Sequence, residues 1–439
     1  MNRYINSPST GTGKRMRPLM FGWEFPPFIS GGLGTACFGL TRAMAGLGID
    51  IIFVLPRIKG EKGHSHVRLV SASDVPTLAE FEREQLLQKL EFRIIDSILK
   101  PYINEKDYER LVSESRLMRG PQYEEEGATE LSGNYGPNLI NEVIRYGDVA
   151  GVLSQRESFD VIHSHDWMTA FAGARAKRSS GKPFIYHAHA LEFDRSGEGV
   201  NPDIYNIERF GMEAADHVIA VSHYTKGQIV SRYGIPEEKI SVIHNAVSRS
   251  EGKTVFAPAK ISSGKVVLFL GRITFQKGPD YFVEAAAKVI QAIPDVTFVM
   301  AGSGDMMPRM IERVAQLGIG RNFHFTGFLK GAEVERIYAM SDLYVMPSVS
   351  EPFGISPLEA MLYDVPVIIS RQSGVSEILR HALKVNFWDI DELADKMIAA
   401  LKYPSLIEEL KKGSRQELDN IHWKTAAEKV YQVYKMLAG

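Results

Sequence analysis

KVVLFLGRITFQKG, residues Lys265 to Gly278, decides the fold of this chain. A short apolar run of strand type breaks into a loop that carries Arg272, Lys277 and two glycines. A helix-like segment then separates it from the next apolar run, Val296–Met300. The same unit recurs on both sides. Strands are expected at Pro18–Gly22, Ile49–Leu55, Asp160–Ser164, Pro183–His187 and His217–Val221, then at Lys265–Leu270, Val296–Met300, Asn322–Thr326, Leu343–Met346 and Val367–Ser370. Most are rich in Val, Ile and Phe. Proline stands only at or just before their first position, as at Pro366, where no ladder donor is lost from the middle. Alternation of such runs with helix-like segments predicts parallel sheets built of βα units.

The pattern runs twice. SRSEGKTVFAPAKISSGK, from Ser248 to Lys265, is mostly polar, has no helical period and serves as the linker. The fold class is therefore α/β, with two Rossmann-like doubly wound domains facing a cleft. Residues 17–250 form the first and 251–422 the second, and ligands belong in the cleft at the carboxyl ends of both sheets. Trp423 to Leu437 reads as an amphipathic helix that packs across the domains, so 423–439 completes the first. Residues 1–16 are polar and read as a disordered leader. An insertion at about 60–136 is either an acceptor-binding or lid element or a passive surface excursion. Inside it, Arg83 to Lys100 looks like an amphipathic helix; its mixed charges favour packing on its own domain, while peripheral membrane contact stays open.

Composition excludes several classes. The 439 residues carry a net charge of -2, with no basic signature of nucleic-acid binding. Hydrophobic content of 44% and charged content of 24% are ordinary for a soluble globular protein. No apolar run has the length of a transmembrane segment. The single cysteine, Cys37, rules out an internal disulfide, fits a reducing cytoplasm and reads as a core residue.

Chemistry-bearing residues cluster after the strands. EPFGISPLEA places Glu351 before a helix start near Ser356–Pro357 and Glu359 in its first turns. A carboxylate accepts two hydrogen bonds at once and so suits adjacent sugar hydroxyls, although a loop glutamate and a solvated helix glutamate fit the spacing equally well. FPPFISGGLGTACFGL brings Gly31, Gly32, Leu33 and Gly34 to a helix start, where glycines let a phosphate or sugar approach the backbone. It lacks the G-x-G-x-x-G pattern, which counts against hydride transfer. Arg272 and Lys277 are two cations suited to a diphosphate. In IHSHDWMTA, Asp166 follows a strand and also fits a cap on the next helix. In FIYHAHALEFD, His187 and His189 lie two apart, on one side of a strand. With His163 and His165 a metal site comes into question, but no second cysteine supports one, and none is expected. AGSGD, with Gly302 and Gly304, and HFTGFL, near Thr326–Phe328, are connecting turns or donor contacts.

These motifs, in this order, resemble the retaining nucleotide-sugar glycosyltransferases of the GT-B fold. The chain is similar, over nearly all of Arg17 to Leu437, to the family of sucrose synthases, sucrose-phosphate synthases, mannosyltransferases and the related glycogen and starch synthases. GGLGTA, HSHDW and HAHALE lean toward the glycogen-synthase-like branch. By that resemblance Glu351 contacts the donor hexose, Glu359 the ribose, and Arg272 and Lys277 the diphosphate. Gly32 and Leu33 approach the donor phosphates. His189 lies near the reacting sugar and Asp166 near acceptor and donor sugar. Phe353, Gly354 and Ile355 supply backbone contacts. ADP-glucose-using glycogen synthases usually carry a lysine two residues before the glycine pair. Here Ile29 stands there, which leaves the donor open among ADP-, UDP- and GDP-sugars.

The resemblance implies transfer of a hexosyl unit, glucose foremost, to an acceptor hydroxyl with retention, as in hexosyltransferases. No cofactor or metal is expected, since cations can stabilise the leaving diphosphate. Asp389 and Asp391 form an Asp-x-Asp apart from the cleft motifs and read as a helix start. The acceptor is a glycan or small molecule: an α-glucan, small sugar, sugar phosphate or lipid-linked glycan. A phosphorylase or epimerase of the same fold and a non-catalytic sugar-nucleotide binder are the rival readings; nothing in the sequence demands the pyridoxal phosphate lysine of a phosphorylase.

Overall fold

The computed structural model describes residues 15–26, 31–58, 66–75, 139–248 and 264–439. Most of the expected leader, the position of Ile29, the Arg83–Lys100 segment, most of the 60–136 stretch and the linker from 249 to 263 lie outside them.

Two wholly parallel sheets organise the chain. The first holds β1 (Pro18–Phe21), β2 (Ile52–Leu55), β3 (Arg68–Ser71), β4 (Val161–His165), β5 (Phe184–Ala188), β6 (His217–Ala220) and β7 (Ile240–Val242), in the order β3-β2-β1-β4-β5-β6-β7. Around it lie α1 (Gly32–Gly46), α2 (Leu139–Arg156), α3 (Ala170–Ser180), the short α4 (Glu192–Ser196), α5 (Pro202–Ala214) and α6 (His223–Tyr233). The second sheet holds β8 (Lys265–Leu270), β9 (Val296–Ala301), β10 (Phe323–Gly327), β11 (Leu343–Met346), β12 (Val367–Ser370) and β13 (Leu383–Val385), in the order β10-β9-β8-β11-β12-β13. Its helices are α7 (Pro279–Ala292), α8 (Met307–Gln316), α9 (Ala332–Met340), α10 (Ser356–Leu362), α11 (Ile390–Lys402) and α12 (Pro404–Leu418); α13 (Trp423–Ala438) ends the chain.

Local sequence explains the helix starts. Asn201 accepts from the N–H groups of Asp203 and Ile204, with Pro202 at the first helical position of α5. Ser222 caps α6 through Thr225 N, and Gly234 ends that helix in the left-handed region at φ 70°. Asp389 caps α11 through Glu392 N at 2.9 Å, so the Asp-x-Asp is a helix start.

Period-two side-chain alternation fills both faces of the first sheet. Leu19, Phe21, Ile52 and Val54 pack in one cluster with α2 and α3. Met20, Phe53, Leu55, Ile185 and Ile219 pack in the other with α1 and α13. Cys37 is wholly buried in that second layer. The last helix thus lies on the first sheet: Trp423, Ala427, Val430 and Tyr434 share its core, and Tyr434 Oη sits 2.6 Å from His163 Nδ1.

Ten strands stand where the sequence places them, within a few residues. β3, β7 and β13 are additional. Each is three or four residues long, too short for a periodic signal. β3 pairs with β2 from Ile52↔Arg68 to Leu55↔Ser71, so the early part of the stretch read as an insertion belongs to the sheet. Among the described residues no helix is long and apolar enough to cross a membrane.

The α1–α13 contact gives a direct test. A Cβ on Gly39 would lie 2.3 Å from the Trp423 ring, a rigid neighbour. Gly39→Ala is expected to lower stability by about 1–3 kcal/mol through overpacking. Denaturant unfolding checks this, and an unchanged midpoint would mean that Trp423 has room to move.

Candidate active site

The second sheet supplies the charged side of the cleft. The loop after β8 carries Arg272 and Lys277, and the loop after β11 carries Glu351. Lys277 Nζ donates to Glu351 Oε2 at 2.5 Å, and Ser348 Oγ donates to the same oxygen at 3.2 Å. Backbone bonds fix the glutamate: its N–H donates to Gln372 O, and its carbonyl accepts from Gly374 N, both at 2.9 Å. Arg272 lies half-buried beside this pair. Burial brings its pKa down to about 10, against the attraction of Glu351 first and then Glu24.

Glycines set the loop shapes. Gly354 takes φ 97°, which turns the chain between Phe353 and Ile355 into α10. A Cβ on Gly302 would fall 1.8 Å from Gly271 O, so this glycine lets the β9 loop lie against the Arg272 loop. Glu359, in the first turn of α10, accepts from Tyr338 Oη at 3.2 Å.

The first sheet supplies the facing side. α1 starts at Gly32 after Gly31, whose N–H donates to Glu24 Oε2 at 3.1 Å. A Cβ on Gly32 would meet nothing within 4 Å, so open space adjoins the helix start. Leu33 is half-buried against the core below. Asp166 does not cap the turn that follows it, contrary to the capping alternative. It holds φ 61°, unusual for a residue other than glycine, and aims its carboxylate at the next strand. There Oδ1 accepts from His189 N at 2.6 Å and Ala190 N at 3.2 Å. Burial nevertheless raises its pKa to about 7.

Four histidines form a stack behind it. His163 and His165 on β4 meet His187 and His189 at the end of β5, with His163 Nε2 3.1 Å from His187 Nδ1 and His165 Nδ1 3.0 Å from His189 Nε2. Burial holds His163 and His189 down at about 3. Ligand atoms of His163, His165 and His187 lie within 4.8 Å of one another, as do those of Cys37, His165 and His189. A metal ion lies in the plane of each imidazole that binds it. The rings of His163 and His165 are 4.4 Å apart and only 23° from parallel, so they cannot both reach one ion without turning. Burial favours the neutral form of all four rings.

The two sides meet. Ser350 donates to Asp194 Oδ1 at 2.5 Å, and the Phe275 ring lies 3.3 Å from a Cβ position on Gly197. Sequence reasoning missed Glu24 and Asp194. Both are almost fully buried carboxylates, at 6% and 1% exposure, and the only signal was a charge set among apolar residues, as in FGWEFPPF.

Two Rossmann-like units with charged loops converging at their carboxyl ends define the GT-B architecture. Residues 252–417 match the family model described as glycosyl transferases group 1, and residues 123–251 the one described as glycosyltransferase family 4. An uncharacterised glycosyltransferase of Methanocaldococcus jannaschii is 28% identical, covering 96% of this chain and 98% of that one. Glycogen synthase of Mycobacterium tuberculosis is 23% identical, covering 95% and 94%. Sucrose-phosphate synthase from Thermosynechococcus elongatus shares the fold with a TM-score of 0.72 at 18% identity, covering 96% and 99%. The chain is a GT-B glycosyltransferase of the glycogen synthase and family 4 type.

The histidine stack has a pH signature. Unfolded, His163 takes up its proton near 6.5; folded, only near 3. Its contribution to stability is complete above the ordinary value and is lost as pH falls through that window. The stability advantage of the parent over His163→Gln should therefore shrink by about 1.4 kcal/mol per pH unit below about pH 6. Urea unfolding at about pH 7.5, 6 and 5 measures it. A constant difference would mean that the ring titrates alike in both states.

Proposed function

We propose that this glycosyltransferase moves a hexosyl unit, glucose foremost, from a nucleoside diphosphate sugar to an acceptor hydroxyl with retention at the anomeric carbon, and that the acceptor is an α-glucan. The observation that carries this reading is the partly buried Lys277–Glu351 pair beside Arg272. Without a donor, Lys277 and Glu351 neutralise each other. A diphosphate draws Lys277 and Arg272 toward its oxygens, which leaves the Glu351 carboxylate to accept from sugar hydroxyls. The two cations stabilise charge on the departing diphosphate. The open helix start at Gly32 offers backbone N–H groups to the same phosphates. Glu359 takes the ribose hydroxyls, and the backbone of Phe353, Gly354 and Ile355 lines the sugar.

Asp166 and His189 act from the other side. Asp166 anchors the backbone of His189 and Ala190 and so fixes the loop that borders the acceptor. His189 is kept neutral by burial and offers a hydrogen bond without a competing positive charge. The departing diphosphate takes the proton of the acceptor hydroxyl, so no protein nucleophile is needed. The glucan acceptor is supported by the similarity to a glycogen synthase along most of the chain.

Nucleotide release from ADP-, UDP- and GDP-glucose, with and without a malto-oligosaccharide primer, tests the assignment. Primer-stimulated release supports an α-glucan synthase; release without stimulation moves the search to small sugars, sugar phosphates and lipid-linked glycans; no release with any donor overturns the reading. Lys277→Ala and Glu351→Ala should each lower turnover by about 10²–10³-fold while the protein remains folded. Near-parental turnover in both would sink the site assignment.

A further inference from the structure

Glu351 belongs to the second unit, yet both residues beside it are bonded to the first. Before it, Ser350 Oγ donates to Asp194 Oδ1 at 2.5 Å and stands 2.9 Å from Tyr224 Oη, which donates to it. After it, Pro352 O accepts from Ser222 Oγ at 2.6 Å and from Thr225 Oγ1 at 3.3 Å. Ser222, Tyr224 and Thr225 form the cap and first turn of α6.

The turn that follows Ser373, the bridge partner of Glu351, is seated on the same turn of α6. Glu377 Oε2 accepts from His223 N at 2.9 Å and Oε1 from Tyr224 N at 2.6 Å, so a carboxylate from the second unit covers the helix start. His244 Nε2, also from the first unit, lies 2.9 Å from Glu377 Oε2. Gly374, which donates to Glu351 O, lies so close that a Cβ there would be 2.2 Å from Pro352 O and 2.4 Å from Ser222 Cβ.

We infer that the first turn of α6 is a clamp that positions Glu351 from the opposite domain, with Ser222, Tyr224 and Glu377 as its positioning residues. The Glu351 carboxylate is held in register with the donor only while the two units are seated on each other at this turn. A donor sugar bound to an unseated enzyme is therefore not turned over. Glu351 lies one residue from each anchored neighbour, so a shift of either moves its carboxylate relative to Lys277. None of the three is among the residues given a donor contact above. The inference rests on the donor-sugar role given to Glu351 above, so its test includes a readout that needs no turnover.

Three variants serve: Ser222→Ala with Tyr224→Phe as a double substitution, Glu377→Ala, and Glu377→Gln, which keeps one of the two acceptor oxygens and sets an NH2 donor against the other main-chain N–H. In hydrogen exchange by mass spectrometry, the amides of the 350–354 and 372–377 segments should exchange about 10-fold faster in the double variant and in Glu377→Ala, with core strands unchanged. Unchanged exchange in those segments overturns the clamp, whatever the activity. In the nucleotide-release assay, kcat should fall about 10-fold or more in both, while binding of the nucleoside diphosphate alone, followed by calorimetry, stays within about twofold. Glu377→Gln should recover no more than part of the loss, since it keeps one of the two accepted hydrogen bonds. Faster exchange with unchanged kcat would separate the clamp from catalysis and overturn its positioning role. If the parent releases no nucleotide from any donor, the transferase reading fails, and the exchange result still decides whether this turn holds the loop.

Discussion

Burial of the strands on both faces is the constraint from which the rest follows. Leu19 and Met20 face opposite cores, as do Phe53 and Val54, so the strand bodies have almost no exposed side for polar chemistry. Backbone groups within a parallel strand are spent on the ladder. Only the loops leaving the carboxyl ends are free to carry charges, and parallel strands send all of those loops to one edge. Arg272, Lys277 and Glu351 gather on one sheet and Asp166 and His189 on the other for this reason, although they come from four different loops and strand ends.

The charges so gathered are half-dry. Lys277 and Glu351 expose 19% and 8% of their side chains, so neither is fully hydrated. A partly buried ion pair of this kind is weak support for stability, because desolvation offsets much of the attraction. Its value lies elsewhere: it keeps both groups placed with no ligand present, which, on the proposed reading, lowers the reorganisation needed when a diphosphate arrives. Arg272 makes the same point. Burial brings it down, and the carboxylates of Glu351 and Glu24, one from each unit, hold it charged. The cation site is thus maintained by anions on both sides of the cleft.

Much of this was legible in the sequence. The three strands placed to the residue, Lys265–Leu270, Leu343–Met346 and Val367–Ser370, are dense apolar runs bounded by charge, glycine or proline. EPFGISPLEA was readable because Pro357 and the glutamates mark a helix start, and α10 begins at Ser356. Two of the edge strands, LKV and ISV, were not legible: they are too short to show a period, and their pairing comes from neighbours that are distant in sequence. Asp166 was half-legible. Its place before a turn suggests a cap, but its φ of 61° swings the carboxylate across to His189, a tertiary choice that no local pattern encodes. Glu24 and Asp194 were invisible for the converse reason: a lone acid in an apolar stretch announces burial only once its partners are in place.

Two segments tie the units together, and they act differently. α13 lies on the first sheet after the second has been completed, and its Trp423 and Tyr434 are fixed in a core by shape. Packing of that kind is stiff and is expensive to open. The α6 turn is held by hydroxyls, a carboxylate and two main-chain N–H groups; the Ser222 and Thr225 contacts are buried, while water can replace the partners at the exposed Glu377 contacts. Hydrogen bonds that water can replace contribute about 0.5–1.5 kcal/mol each and open locally with ease. The chain therefore combines one apolar joint, which keeps the two units together, with one polar joint placed against the Glu351 loop. On the proposed reading, the enzyme opens to exchange its sugar nucleotide and closes to exclude water, and the polar joint is where that motion can reach Glu351 without disturbing either core.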